Sequence, residues 1–364
     1  MRGLYLHIPF CSVKCYYCDF VAFSGQGKSS VRYLQALQTE MRPYRGFRID
    51  TLYMGGGTPT ELSAEELDFL LTSLGNHFGS LRDLKESTVE ANPESLTSDK
   101  MKILRAHGMS RISLGLQTTQ DSLLKSLGRQ HTSADFVRVF GELRKIGFKN
   151  LNVDLMFGVP EQSIQDFQDS LNQVCVLEPE HVSLYGLHVE EKTVFNKRGF
   201  QVDEDLSRQM YEVAIQMLGR VGYRHYEVSN FAKPGYESVH NQIYWRNEEY
   251  LGFGCGATSY LNGVRRTNTD RFQNYLKALE EGSTPVAEEE KLEGLEKTGE
   301  TILLGLRMLE GLHLAEKMKS DFKEQWQDLQ SQDLVVFEGS QVKLSSQGIF
   351  VANRVFQEFV PPFP

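Results

Sequence analysis

The first two-thirds of the chain alternates short apolar, β-branched runs with amphipathic helical patterns. Six runs predict strands, namely GLYLHI, DTLYMG, ESTVEA, RISLGLQ, NVDLMFG and HVSLYGL. The patterns between them predict helices, which are SVRYLQALQTEM, SAEELDFLLTSLG, TSDKMKILRAHG, SADFVRVFGELRKIG and SIQDFQDSLNQVCVL. Several begin with Ser or Thr, carry an acidic residue soon afterwards and end on Gly, which are start and stop signals for helices.

Strands that alternate with helices predict an α/β fold with a parallel sheet and helical crossovers. The spacing alone leaves a doubly wound sheet and a partial barrel open. In either arrangement the ligand is expected at the carboxyl ends of the strands. Polar residues recur there, because Glu90 lies late in the third strand, Gln117 ends the fourth and Asp154 lies in the fifth.

The pattern changes after about residue 225 and becomes irregular and aromatic. We expect this aromatic segment to run across the open ends of the strands. The acidic run AEEEKLEGLEK then indicates a solvated helix start or a domain boundary, and Ile302, Leu306 and Leu309 share one predicted helix face. LVVFEGSQVKLSSQG predicts two strands around a turn, followed by a final helix in FVANRVFQEF. The predicted units are residues 1–225, the aromatic segment 226–288, and a small winged-helix-like α+β domain at 289–364.

Composition describes an ordinary globular protein and argues against two function classes. The 364 residues are 40% hydrophobic and 24% charged, and the formal net charge is −9. With this acidic balance and no long basic run, we do not expect nucleic-acid binding. No stretch approaches the ~20 apolar residues of a membrane span, and the apolar residues before Cys11 are too few for a signal peptide. We therefore expect a cytoplasmic protein without a membrane anchor, although transient membrane contact stays open, as do a monomer and a homodimer.

Three of the five cysteines, Cys11, Cys15 and Cys18, lie within eight residues just after the first strand. In a reducing compartment such a group indicates metal or redox chemistry rather than disulfides. Thiolates at short spacings hold iron–sulfur clusters, and three of them leave one iron of a [4Fe–4S] cube open to a small molecule such as S-adenosylmethionine. The alternative is a structural zinc site with His7 or a distant residue as the fourth ligand.

Two glycine-rich segments follow the cysteines. GGGTP, Gly55 to Pro59, ends the second predicted strand, where glycines let the backbone approach a ligand closely. No Gly-Lys-Ser/Thr follows, so the segment is not a phosphate loop. GFGCGA, residues 252–257, lacks the G-x-G-x-x-G spacing and the βαβ setting of a dinucleotide site.

The C-x3-C-x2-C motif, with an aromatic residue before its third cysteine and GGGTP about forty residues later, resembles the radical S-adenosylmethionine superfamily. Over nearly the whole chain, LYLHIPFC, YMGGGTPT, VEANPE, RISLGLQ, LGRQH and VDLMFGVP are similar to the oxygen-independent coproporphyrinogen oxidase family. The resemblance implies a partial (β/α)6-type barrel with a [4Fe–4S] cluster on the three cysteines. It also implies residues for S-adenosylmethionine, which are Tyr5, Gly56 and Glu90 at the cluster-bound position and Tyr17, Gly57, Thr58, Gln117, Arg129 and Asp154 at a second position.

This sequence departs from the oxidases of that family in two places. They carry a further cysteine two residues after the third, where this chain has Phe20, and they have a long N-terminal extension, whereas ten residues precede Cys11 here. HNQIYW, His240 to Trp245, is instead similar to the H-N-x-x-Y-W motif of the heme chaperone branch. That resemblance implies a protein with no catalytic residue that binds heme and hands it to acceptor hemoproteins, such as respiratory or heme-storage proteins.

The heme-binding residues implied by the motif are His240, Asn241, Tyr244 and Trp245. A histidine can ligate heme iron, and aromatic side chains offer flat apolar surface to a macrocycle. The alternatives are a coproporphyrinogen III oxidase and an aromatic lid over the barrel with His240 satisfied in the core. Whether His240 itself ligates the iron stays open.

Overall fold

A mixed sheet of twelve strands organises the computed structural model of this protein, which describes residues 1–361. Residues 1–361 form seventeen strands, of which twelve belong to this sheet. They are β1 (Arg2–Ile8), β2 (Phe10–Cys11), β3 (Phe23–Ser24), β4 (Thr51–Gly56), β5 (Glu86–Ala91), β6 (Arg111–Gln117), β7 (Leu151–Phe157), β8 (His181–Gly186), β9 (Arg224–Glu227), β10 (Asn230–Ala232), β11 (Glu249–Phe253), β12 (Thr258–Leu261), β13 (Val264–Asn268), β14 (Val286–Lys291), β15 (Leu312–His313), β16 (Val335–Glu338) and β17 (Gln341–Leu344). The helices are α1 (Ser30–Met41), α2 (Ala64–Phe78), α3 (Ser98–His107), α4 (Asp121–Ser126), α5 (Ser133–Ile146), α6 (Ile164–Leu177), α7 (Val194–Lys197), α8 (Glu204–Arg220), α9 (Val239–Trp245), α10 (Phe272–Glu280), α11 (Gly294–Gly305), α12 (Glu316–Asp321), α13 (Lys323–Ser331) and α14 (Ala352–Gln357).

The centre of the large sheet is the six-stranded parallel run β1-β4-β5-β6-β7-β8. It confirms the expected α/β partial barrel, with each predicted strand in its predicted place. The sheet continues at both sides, because β11 pairs parallel with β1 and β10 pairs antiparallel with β8. Within residues 1–361 its outermost strands, β14 and β9, do not pair with each other, so the barrel is not closed. A separate sheet of β15, β17 and β16 lies in the small C-terminal α+β unit with α11 to α14.

Side chains alternate along the parallel strands between an apolar outer face and a polar inner face of the sheet. In β1 the side chains of Leu4 and Leu6 are fully buried in the core, and Tyr5 between them stacks on Tyr53 of β4. Successive side chains of a strand point to opposite faces, so the residues between core positions share the other face. Glu90 stands in the same way between the buried Val89 and Ala91.

The start signals seen in the sequence are capping boxes in the structure. Ser63, Thr132 and Ser163 each accept a hydrogen bond from the backbone of the residue three positions later, and that residue's carboxylate bonds back to the cap. Each such cap contributes about 1 kcal/mol. They fix where α2, α5 and α6 begin, and therefore the length of the loops that precede them. None of the helices described is long and apolar enough to cross a membrane.

One sequence prediction in the C-terminal third is confirmed in part and another is wrong. The acidic run contains the predicted helix start, because α11 begins at Gly294, but its first part, residues 286–291, forms strand β14 beside β13, where Glu289 lies 2.7 Å from Arg266 across the ladder. Oppositely charged cross-strand pairs stabilise such a ladder. Leu309 is not on the helix face of Ile302, because α11 ends at Gly305 and the Leu309 amide donates to the carbonyl of Tyr226, 3.0 Å away.

Helix α9 of the aromatic segment does not lie over the barrel mouth, where the segment was expected. Nδ1 of His240 in α9 lies 2.7 Å from Oγ1 of Thr51, the first residue of β4. The carboxylate of Glu86, the first residue of β5, accepts hydrogen bonds from the Val239 and His240 amides at the start of α9. An anionic group at a helix N-terminus satisfies amides that have no partner in the helix. Helix α9 therefore lies at the amino ends of the strands, opposite the end where the cysteines follow β1.

One buried carboxylate ties the added edge strands to the barrel. Glu40 of α1 accepts hydrogen bonds from the Tyr275 hydroxyl at 2.6 Å, from Nδ2 of Asn268 at 2.5 Å and from the Gly254 amide at 2.9 Å. These donors come from α10, from the end of β13 and from the loop after β11. Burial raises the pKa of Glu40 from its ordinary 4.5 to about 7, and the three hydrogen bonds oppose that rise.

The raised pKa of Glu40 gives a specific dependence of stability on pH. Between about pH 4.5 and pH 7 the folded protein holds a proton on Glu40 that the unfolded chain has lost, so this group lowers stability as pH rises. We expect Glu40→Gln to remove that contribution, which is about 1.4 kcal/mol per pH unit for one proton. Urea unfolding of both proteins from pH 5 to pH 8 measures it, with the exposed Glu281→Gln as the control. A constant stability difference between Glu40→Gln and wild type would contradict the assignment.

Candidate functional site

A cavity of about 370 Å³ opens at the carboxyl ends of the parallel strands. The cysteine loop after β1 and the glycine segment after β4 form one side of it. Most of the residues predicted to bind the cluster or S-adenosylmethionine line this cavity, and they are Cys11, Cys15, Cys18, Tyr17, Gly56, Gly57, Thr58, Glu90, Gln117, Arg129 and Asp154. Phe20 also lines it and is 67% exposed, at the rim.

The three cysteine side chains are partly buried around this cavity as free thiols. Burial raises the pKa of Cys11 to about 11 and raises the pKa of Cys18, so a metal that binds them must displace protons. Among residues 1–361, no three or more His, Cys, Asp or Glu side chains surround a point where a single metal ion could be held. His7, the zinc ligand considered above, instead places Nδ1 3.0 Å from the Tyr5 hydroxyl and Nε2 2.7 Å from the Val21 carbonyl.

A continuous run of hydrogen bonds joins two of the cysteines. Nη1 of Arg129 lies 3.5 Å from the sulfur of Cys15, and its Nη2 donates to Oδ1 of Asn92 at 2.5 Å. Nδ2 of Asn92 donates to Oγ1 of Thr58 at 2.9 Å, and that hydroxyl lies 3.7 Å from the sulfur of Cys11. Hydrogen bonds to sulfur stabilise thiolates and tune clusters bound by them. The run therefore fits a negatively charged iron–sulfur cluster at the cysteines.

Arg129 is also suited to an anionic ligand in the cavity. Burial lowers its pKa, but the neighbouring acidic groups of Tyr17, Cys15 and Glu94 outweigh burial and hold the pKa of Arg129 above its ordinary value. Its Nε is buried and has no hydrogen-bond partner in the part of the chain described. A buried donor without a partner is costly, and a carboxylate is the group that a guanidinium pairs with best. The residues present therefore fit a ligand that carries a carboxylate next to the cysteines.

The glycine segment lies against the backbone of the cysteine loop. The amides of Gly57 and Thr58 donate to the carbonyls of Ile8 at 2.9 Å and Phe10 at 2.8 Å. A Cβ at Gly57 would stand 2.7 Å from the Phe10 carbonyl oxygen. Gly56 has a φ of +112°, and a Cβ there would lie 2.5 Å from the ring of His7. Glycine is required at these positions by close approach and backbone conformation, as the sequence suggested.

Two acidic side chains face the cavity from neighbouring strands. Glu90 accepts hydrogen bonds from the Tyr53 hydroxyl at 2.7 Å and from the Gly56 amide at 3.2 Å, and burial raises its pKa to about 7. Asp154 accepts a bond from Nδ2 of Asn152 at 2.7 Å, and burial raises its pKa as well. Oxygens held in this way can accept hydrogen bonds from hydroxyl or amino groups of a ligand.

The remaining predicted residues divide between the cavity and its surroundings. Gln117 reaches the cavity from a left-handed backbone conformation with a φ of 69°. Tyr5 does not line the cavity, because its ring stacks on Tyr53 behind it. Tyr53 and Asn92 line the cavity but were not among the residues singled out from the sequence. The sequence did contain a signal for Asn92, because it stands two positions after Glu90 and so near the same strand end.

The four residues implied for heme lie apart from this cavity. His240 is fully buried, with Nδ1 bonded to Thr51 and Nε2 lying 2.8 Å from the Tyr244 hydroxyl. Burial lowers the pKa of His240 to about 3, so the ring is neutral. Asn241 donates its amide to the capping hydroxyl of Ser238. Trp245 packs against a small cluster around Met308, and the guanidinium of Arg307 lies 4.2 Å from its ring.

One tyrosine connects the two regions. The Tyr53 hydroxyl bonds to Glu90 in the cavity, while the Tyr53 ring lies 5.3 Å from the ring of His240. Thr51, on the same face of β4, is hydrogen-bonded to Nδ1 of that imidazole. Helix α9 therefore closes the amino end of the barrel directly behind the cavity wall.

Comparison with known proteins places these features in a family context. Residues 5–174 match the profile of the radical SAM superfamily. A relative from Lactococcus lactis, named Heme chaperone HemW, is 38% identical over 99% of this chain and 97% of its own length. The Bacillus subtilis protein of the same name is 37% identical, with 99% of each chain covered.

Structural comparison gives the same architecture. The Escherichia coli coproporphyrinogen III oxidase HemN, described as a radical SAM enzyme, superposes with a TM-score of 0.87 over 99% of this chain and 90% of its own. At 22% sequence identity, this similarity shows the fold and carries no assignment of activity.

Proposed function

This chain belongs to the heme chaperone HemW family within the radical SAM superfamily, and from that premise we propose that it binds heme and transfers it to acceptor hemoproteins. The observation that carries the proposal is that the similarity to proteins of that name runs through the barrel, helix α9 and the C-terminal unit alike. Relatives from Lactococcus lactis, Bacillus subtilis and Escherichia coli are named as chaperones and not as oxidases. Phe20 at the cavity rim, where the oxidases have a cysteine, supports the same function.

The proposed cofactors are a [4Fe–4S] cluster held by Cys11, Cys15 and Cys18 and an S-adenosylmethionine beside it. When both are bound, they supply one-electron chemistry. The residues of this chain would bind and orient the S-adenosylmethionine. At the cluster-bound position Glu90 accepts hydrogen bonds from hydroxyl or amino groups of the ligand, and the backbone of Gly56 lets it approach closely. At a second S-adenosylmethionine position, beside Gly57, Arg129 pairs with the carboxylate and Asp154 accepts hydrogen bonds.

Tyr17, Thr58 and Gln117 complete the second S-adenosylmethionine position, and Tyr5 supports the cluster-bound position indirectly, by stacking on Tyr53 behind the cavity. We place the protein in the cytoplasm, where the three thiols stay reduced for cluster assembly.

The proposal is tested by heme titration of the protein reconstituted anaerobically with iron and sulfide. We expect saturable binding of about one heme per chain, followed by absorbance. No stoichiometric binding would overturn the chaperone function. A second arm supplies coproporphyrinogen III, S-adenosylmethionine and a reductant, and we expect no protoporphyrinogen. Robust turnover would favour the oxidase alternative.

A further inference from the structure

A buried arginine lies beneath the floor of the cavity at the carboxyl ends of the strands. Successive side chains of a strand alternate between its faces, so Arg111 shares the inner face of β6 with Ser113, Gly115 and Gln117. The last three residues line the cavity, and Arg111 is the next residue of that face toward the amino end. It is 2% exposed, and its Nε has no hydrogen-bond partner in the part of the chain described. Burying a charge is costly unless other charges balance it, so anionic groups are expected close to Arg111.

Two acidic side chains of the cavity adjoin the same stretch of β6. Ser113 pairs in register with Glu90 of β5, and its hydroxyl donates to a carboxylate oxygen of Asp154 at 3.2 Å. Arg111 pairs in register with Thr88, two positions before Glu90 in β5. Burial raises the pKa of both acids, and the positive charge of Arg111 opposes that rise. The strand register and the electrostatics therefore place the guanidinium next to both carboxylates.

The tyrosine and histidine side chains inside the barrel carry no charge that could replace that of Arg111. Burial raises the pKa of Tyr5, Tyr53 and Tyr185, which approach the acids from β1, β4 and β8, so these phenols are neutral. Burial lowers the pKa of His181 and His240, so both imidazoles are neutral as well.

The charged groups nearby are engaged elsewhere or stand farther out. Arg129 is hydrogen-bonded to Asn92 and lies beside Cys15, and Glu86 accepts the first amides of α9. The other charged or histidine side chains of the cavity stand on segments that follow the strands, and they are Lys14, Asp19, Glu61, Glu94, His188 and Glu190. Arg111 is therefore the cation that balances the two acids from below.

We infer that Arg111 is the buried counter-ion of Glu90 and Asp154, and that it favours in both the carboxylate form that accepts hydrogen bonds from S-adenosylmethionine. The inference rests on the proposed binding of that cofactor and adds a positioning residue to it. An ionised carboxylate accepts hydrogen bonds at both oxygens, whereas a protonated carboxyl group has given up part of that capacity. Arg111 acts through the two acids, because it does not itself line the cavity.

Equilibrium dialysis of S-adenosylmethionine against the reconstituted protein from pH 6 to pH 9 tests the inference. Burial raises the pKa of Glu90 to about 7, so the affinity of the wild type should rise as the pH passes through that value. Loss of the cation raises the pKa of Glu90 further. For a rise of about one unit, Arg111→Met should bind about fivefold more weakly at pH 7 and nearly as well as the wild type at pH 9.

Two variants serve as controls for Arg111→Met. Arg111→Lys keeps a cation at the same position and should retain the wild-type pH profile. Arg2→Met makes the same chemical change at an exposed position of β1, where the arginine pairs with Glu249, and it should also bind as the wild type does. An equal loss of affinity in Arg111→Met at every pH would show that Arg111 is only structural and would overturn the inference.

A second measurement decides the role of Arg111 if Arg111→Met does not fold or if the wild type binds no S-adenosylmethionine. Carbon-13 NMR follows the ionisation of the carboxyl groups in the wild-type protein, and Glu90→Gln identifies the signal of Glu90. A midpoint near 7 supports the counter-ion, whereas a midpoint of about 8 or above, as for a buried carboxyl group without one, contradicts it. Absence of S-adenosylmethionine binding by the wild type at every pH would overturn the proposed cofactor site and not the result of the NMR titration.

Discussion

Cys15→Ser is expected to reduce the iron content after anaerobic reconstitution from about four atoms per chain to nearly none. The cavity offers three thiols, so the loss of one leaves two protein ligands for a cube that already has one open iron. The same change removes the sulfur that Arg129 contacts at 3.5 Å. Iron and acid-labile sulfide analysis, together with visible absorbance, measures the effect.

The remaining cysteines provide matched controls. Cys175 lies on α6, and Cys255 places its sulfur 3.2 Å from the Thr269 carbonyl oxygen, so neither lines the cavity. Cys175→Ser and Cys255→Ser should keep the wild-type iron and sulfide content. Full cluster content in Cys15→Ser would contradict the proposed ligation. A colourless wild type that contains one zinc would instead support the structural zinc alternative.

Gly57→Ala is expected to lower the free energy of unfolding by about 1–3 kcal/mol and to weaken S-adenosylmethionine binding. The added Cβ would stand 2.7 Å from the carbonyl oxygen and 2.9 Å from the amide nitrogen of Phe10. Both atoms belong to the backbone, so the glycine segment and the cysteine loop must separate. That movement breaks the bonds from Gly57 and Thr58 to the carbonyls of Ile8 and Phe10. Urea unfolding and equilibrium dialysis with S-adenosylmethionine measure the two effects.

Gly75→Ala is the control for Gly57→Ala, because it makes the same chemical change where there is space. Gly75 lies inside α2, and a Cβ there meets nothing within 4 Å. Alanine is favoured over glycine in a helix interior, so this variant should be more stable than wild type by roughly 0.5–1 kcal/mol. Equal stability changes in the two variants would show that crowding at Gly57 is not the cause.

Local patterns in the sequence were sufficient for the parallel α/β sheet and for much of the cavity, whereas the choice of a partial barrel over a doubly wound sheet came from the family resemblance. Period-two alternation placed Glu90 and Asp154 between core residues of buried strands, and parallel strands bring their carboxyl ends to one edge. The spacing of the cysteines put all three on one loop. The predicted positions of these residues are correct because each depends on neighbours within a few positions and on one general rule of parallel sheets. The binding roles of the residues stay predictions.

Contacts between distant parts of the chain decided the rest. Residues 286–291 of the acidic run form strand β14 because Arg265 and Arg266 of β13 lie opposite its glutamates. Helix α9 lies at the amino ends of the strands because Glu86, about 150 positions earlier, accepts its first amides. The sequence by itself determined which elements form and which end of the sheet carries the cysteines. Only the tertiary structure decided that the HNQIYW motif faces the C-terminal unit, because a buried carboxylate and a hydroxyl that hold its helix are set by folding and not by any local pattern.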